Sequence, residues 1–97
     1  MESVATLNLK ETPANLTVTG TVVTYNAKDT VTLRPAVPQG INPAILILNV
    51  VVKLVPGPKK GTPKPFHYKR VRNAKKYTHV ELVNGDNRLT IEVGVLG

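Results

Sequence analysis

The chain has no cysteine and no tryptophan, a single serine and only four aromatic residues. Without cysteine there are no disulfides, no thiolate nucleophiles and no cysteine-ligated metal centres, and the redox compartment stays open. Ser3 lies near the N-terminus and the two histidines stand at 67 and 79, a pattern from which no serine triad can be assembled. The six acids (Glu2, Glu11, Asp29, Glu81, Asp86 and Glu92) are dispersed singly, so no carboxylate pair with split roles is visible. These shortages predict a protein that is not an enzyme and carries no cofactor. Metal binding has little support either. Pairing of the strands around His67 and His79 would bring two imidazoles together, short of the usual three or four ligands, so both histidines are expected to face solvent.

Long hydrophobic runs are also scarce. The longest, residues 44–55, is twelve residues with Asn49 and Lys53 inside it, whereas a bilayer-spanning helix needs about 20 apolar residues. No transmembrane segment is expected. Glu2 near the start, with no apolar stretch following a basic one, gives no secretory signal peptide within these residues and slightly favours the cytoplasm. The triplet Asn15-Leu16-Thr17 has the form of a glycosylation acceptor, but eight asparagines in a threonine-rich chain produce such a triplet by chance, and it carries no weight.

What the chain does hold is charge of one sign, concentrated in one place. Thirteen Lys and Arg oppose six Asp and Glu over 97 residues, a formal net charge of +7. Eight of those cations (Lys59, Lys60, Lys64, Lys69, Arg70, Arg72, Lys75 and Lys76) fall between residues 59 and 76, where there is no acid. The remaining five cations face all six acids, so the rest of the chain is close to neutral.

The other abundance is of β-branched residues. Eleven threonines and many valines and isoleucines suit a pleated sheet and lose rotamer freedom in a helix. Eight prolines and seven glycines interrupt the chain, and no helical apolar stripe runs free of them. Period-two alternation predicts strands at residues 4–10, 16–26 and 30–34, with Gly20 marking a bulge and residues 26–29 a hairpin loop. The prolines at 35, 38 and 43 predict a crossover rather than a tight turn. Residues 44–55, apolar on both faces, read as a central strand. Residues 77–83 and 88–96 read as a hairpin about Asn84-Gly85-Asp86-Asn87, with Tyr77, His79 and Glu81 on the face opposite Val80 and Leu82, and with Leu89, Ile91, Val93 and Val95 facing inward. Residues 66–72 make a seventh, charged strand suited to an edge.

About seven short strands predict an all-β single domain over residues 1–97, built as a small two-layer β-sandwich with immunoglobulin or fibronectin III-like architecture. The cysteine pair and core tryptophan of a true immunoglobulin domain are missing. A small Greek-key barrel, such as an oligonucleotide-binding fold, is the alternative. Residues 56–76 form a basic, Pro- and Lys-rich loop or edge segment. Gly57-Pro58-Lys59-Lys60-Gly61-Thr62 is no phosphate cradle, because its prolines remove backbone donors and no helix follows.

The functional expectation is a non-catalytic structural or protein-interaction module whose basic segment contacts an anionic partner: an acidic protein surface, a nucleic acid or another polyanion such as a sulfated glycan or anionic lipid surface. The alternative is a nucleic-acid or polyanion-binding β-protein. In it the eight cations neutralise phosphates while Phe66, Tyr68 and Tyr77 stack on bases. Against both stands a plain structural role, in which the charges keep an edge solvated and the aromatics anchor the segment to the core.

Overall fold

In the computed structural model, which describes residues 2–57 and 60–97, the threonine- and valine-rich stretches become seven strands. They are β1 (Glu2–Asn8), β2 (Asn15–Thr24), β3 (Thr30–Pro35), β4 (Ile45–Lys53), β5 (Thr62–Arg70), β6 (His79–Asn84) and β7 (Asn87–Leu96). The one helical element among the described residues is a 3-10 turn, Ala74–Lys76. No helix there is long and apolar enough to cross a membrane.

All seven strands join one sheet in the order β3-β4-β6-β7-β1-β2-β5. The β1/β7 and β4/β6 pairs are parallel and the others antiparallel. Strand β7 is shared: residues 87–92 pair with β6, and residues 93–96 pair with β1. The handover falls at Val93, whose N–H still donates to the Thr78 carbonyl at 2.9 Å. The sheet curls until its edge strands β3 and β5 touch without forming a ladder. It is therefore all-β and nearly closed, which fits the barrel alternative.

Period-two alternation fills the interior. Ala5 and Leu7 from β1 meet Leu16, Val18 and Val22 from β2, Leu33 from β3, Leu46, Leu48 and Val50 from β4, Phe66 from β5 and Val80 and Leu82 from β6 in one buried cluster. Leu16, Leu46, Leu48, Leu82, Val18 and Val80 are wholly enclosed, each worth roughly 1.5–3 kcal/mol relative to exposure. The apolar run is central, as expected: β4 lies between β3 and β6, with Asn49 and Lys53 on its solvent face. The last hairpin also follows its pattern, with Asn84 opposite Asn87 and Gly85 at φ 60° in the turn.

Four local expectations change. Gly20 makes no bulge; it pairs in register with both Ser3 and Phe66. Residues 26–29 do turn, but β2 pairs with β1 and β5 while β3 pairs with β4, so the turn is a corner between the two halves of the sheet. Asp29 pins that corner. Its buried carboxylate accepts N–H groups from Tyr25 (3.1 Å), Asn26 (2.8 Å) and, across the fold, Val55 (2.8 Å). The proline-rich residues 36–44 are no crossover, since they link the antiparallel neighbours β3 and β4. There the Gln39 amide imitates a strand, donating to the Ile47 carbonyl (3.0 Å) and accepting the Ile47 N–H (2.9 Å). Finally, β7 ends exposed at Val95, which the alternation placed inside.

Candidate anion-binding surface

Strand β5 begins four residues before the charged strand expected at 66–72, and it is an edge strand paired only with β2. That position tolerates Pro63 and Pro65, which have no N–H to contribute to a ladder. Its inward phase carries Lys64, Phe66, Tyr68 and Arg70; Phe66 is 4% exposed and the other three half-buried. His67 and Lys69 point outward.

The chain then turns. Asn73 adopts the left-handed region (φ 56°, ψ 29°), which asparagine tolerates better than most residues. The 3-10 turn that follows places residues three apart on one side. Ala74 and Tyr77 are accordingly both buried, while Arg72, Lys75 and Lys76 are exposed. Tyr77 was expected on the outer face of a strand; that strand starts only at His79, and the ring is held inside, 6% exposed. The Arg70 guanidinium lies 5.4 Å and the Lys76 ammonium 5.1 Å from its centroid, both within cation–π range. Arg70 Nε also donates to the Arg72 carbonyl at 3.1 Å.

Between this turn and the β1–β2 loop lies an open cleft of about 590 Å³, walled by Leu9, Pro13, Ala14 and Val71 and edged by Lys75, Lys76 and Glu11. Glu11 accepts the Asn15 amide at 2.6 Å. Asn15, the asparagine of the glycosylation triplet, is buried.

The basic segment is thus not one patch. Strand β5 spans eight residue steps, about 26 Å at a usual strand rise, and it sends Lys60 and Lys64 to the opposite end of the sheet from Arg70, Arg72, Lys75 and Lys76. Lys59 lies outside the described residues. At its own end Lys64 donates to the Ala27 carbonyl, and the Lys60 N–H donates to the Tyr25 carbonyl. Among the described residues the loops there (25–29, 54–57, 60–61 and 85–86) contain two cations and two acids, whereas those at the cleft end (9–14, 36–44 and 71–78) contain four cations and one acid. Among the described residues the ion pair is Arg88–Glu81, and none of the cleft-end cations has a carboxylate partner.

Lys10, in the β1–β2 loop, joins the cleft-end group. Sequence reading missed it because it lies about sixty positions from the basic run, and only the return of β5 along β2 brings the two loops together. The histidines are not brought together: β5 pairs with β2, β6 pairs with β4 and β7, and His79 Nδ1 lies 2.9 Å from Thr78 Oγ1. Among the described residues no group of three His, Asp or Glu is placed to hold a metal ion. Comparison with protein-family models, curated proteins and solved structures gives no match to this chain.

Proposed function

We propose that this chain is a non-catalytic binding module that engages an anionic partner through the cleft end of its sheet. One observation carries the reading: Lys75 and Lys76 edge an open cleft with apolar walls, Lys10 and Arg72 stand next in the chain to its lining residues Leu9, Glu11, Val71 and Asn73, and all four are exposed and without carboxylate partners. A non-catalytic role is supported by the disposition of the acids. Glu11 is engaged with Asn15, Asp29 with three backbone amides and Glu81 with Arg88. We read the two halves of the sheet, divided where β7 changes partner, as the facing layers of a sandwich, since Leu7, Leu16 and Val18 share one core cluster with Leu46, Leu48 and Val80.

The nucleic-acid version with stacked bases has less behind it. Phe66 and Tyr77 are packed inside, and Tyr68 is half-buried. Phe66 and Tyr77 are better placed to anchor the segment, with Arg70 and Lys76 beside the Tyr77 ring.

Heparin chromatography under a salt gradient tests the reading. The wild-type chain is expected to be retained, and Lys75→Ala/Lys76→Ala to elute at clearly lower salt than Lys60→Ala/Lys64→Ala, although both pairs remove two charges. Each lost phosphate- or sulfate-like contact lowers the log–log salt slope by roughly 0.7–0.9. Equal shifts for the two pairs would show that net charge alone is responsible and would overturn the assignment to the cleft end.

A further inference from the structure

The β3–β4 loop has a composition that its role as a connector does not explain. Its tip carries Val37 and Ile41, which are 94% and 103% exposed. An aliphatic side chain standing wholly in water gains nothing for the fold, and single exposed apolar residues are common enough to need no explanation. Two on one loop that is itself fixed are a different matter. The loop is held by the Gln39 amide on Ala36 and Ile47, by the Asn42 side chain accepting the Ala44 N–H at 3.0 Å, and by Gly40, where an added Cβ would meet Ile47 Cδ1 at 2.9 Å. Prolines at 35, 38 and 43 narrow it further. Its apolar tip is therefore presented with little ordering left to do.

The loop is also tied to the cationic turn. The Ala44 carbonyl accepts the Thr78 N–H at 2.8 Å and the His79 N–H at 3.4 Å. Counted along the chain from that junction, the Cα atoms of Ile41 and Lys76 are no more than about 23 Å apart even at full extension. On the same end, Leu9 and Val71 are each about two-fifths exposed beside Lys10, Arg72 and Lys75. Aliphatic tips on separate loops, interspersed with unpaired cations, match a surface that is apolar a few ångströms down and anionic at its face. A protein partner reached through hot spots would call for Trp, Tyr or Arg anchors, and the loops of this end expose no aromatic ring and a single arginine, Arg72.

We infer that the cleft end docks on an anionic lipid bilayer, with Val37 and Ile41 entering the headgroup–acyl boundary and Lys10, Arg72, Lys75 and Lys76 contacting lipid phosphates. This rests on the anion-binding reading and names its partner. Each cation near an anionic leaflet strengthens binding on the order of fivefold, and burying the two aliphatic side chains contributes at least about tenfold more.

The test is co-sedimentation with phosphatidylcholine vesicles, with and without one-third phosphatidylserine, run beside the heparin column. The wild-type chain is expected to bind the phosphatidylserine vesicles and not the pure phosphatidylcholine ones. Val37→Ser/Ile41→Ser is expected to lose at least about tenfold in vesicle binding while its heparin retention stays unchanged, and Lys75→Ala/Lys76→Ala to weaken both. Because the chain has no tryptophan, Val37→Trp supplies a single reporter whose emission should shift to the blue on phosphatidylserine vesicles. Heparin retention without vesicle binding, serine variants that bind as well as wild type, or an unshifted tryptophan would each overturn the lipid proposal and leave an acidic protein or nucleic acid as the partner. Loss of heparin retention in the wild type would instead bring down the anion-binding reading beneath it.

Discussion

Glycine at position 20 shows how one residue can be set by a neighbour that sequence proximity does not reveal. A Cβ there would run into the Glu2 carbonyl oxygen, the Phe66 Cζ at 2.6 Å and the Ser3 Cα at 2.9 Å. Two of these contacts are backbone, so the site has nowhere to relax. Gly20→Ala is expected to lose roughly 1–3 kcal/mol, as overpacking of a tight interior does, and to show this as a lower urea midpoint with an unchanged m value. Gly94 is the control. It is also in a strand, but a Cβ there would sit 3.7 Å from the Ala5 carbonyl, an ordinary contact. Gly94→Ala should therefore be neutral or stabilising by up to about 1 kcal/mol, through the entropy it removes from the unfolded chain. A loss at Gly94 equal to that at Gly20 would refute the packing account. The alternation of β2 made Gly20 look like a bulge because Phe66, the ring that occupies the space, lies 46 positions further along the chain.

The connection that was legible is the one its own turn residues specify. Asn84-Gly85 between two alternating runs specifies a hairpin locally, and β6 and β7 form one. Residues 26–29 have similar local chemistry, including the Asn26 side chain accepting the Lys28 N–H at 3.0 Å, yet they make a corner. What decides between the two outcomes is the third amide on Asp29, from Val55, 26 residues away. The same clamp has a pH signature. Burial pushes the Asp29 carboxyl upward, but donation from the backbones of Val55, Asn26 and Tyr25 and from the Thr24 hydroxyl outweighs it and holds the pKa below the usual 3.8. A depressed folded pKa means that the stabilisation is fully present above the unfolded value and is lost as pH falls through the folded one. Equilibrium unfolding from neutral pH down to about pH 2 should show this loss beginning only below about pH 4. Asp29→Asn should be less stable at neutral pH and flatter across the acid limb. A variant whose acid limb is as steep as the wild type's would remove Asp29 as its cause.

At the scale of the whole molecule, closure decides both what the charges do and how the sheet breathes. The 59–76 run was legible as a concentration of cations, but its division was not, because nothing in the run itself says that β5 will span the sheet and leave the cations at two ends. The same edge strand leaves a seam: β3 and β5 touch without exchanging backbone hydrogen bonds. Opening there would bare Leu33 and Phe66, each still slightly exposed, whereas separating β4 from β6 would expose Leu46, Leu48, Val80 and Leu82, all essentially inaccessible. Local opening free energies follow such differences, from near zero at edges to the global value in a core. Amide hydrogen exchange is therefore expected to be slowest at Leu46, Leu48, Val80 and Leu82, occurring there only through global unfolding. The seam-facing amides of β3 and β5 should exchange faster by several orders of magnitude. Seam amides protected as strongly as those of β4 and β6 would mean that the last ladder forms in solution and the barrel is closed. The cleft-end cations would then sit on a rigid ring, and their surface could not adapt to a partner by parting β3 from β5.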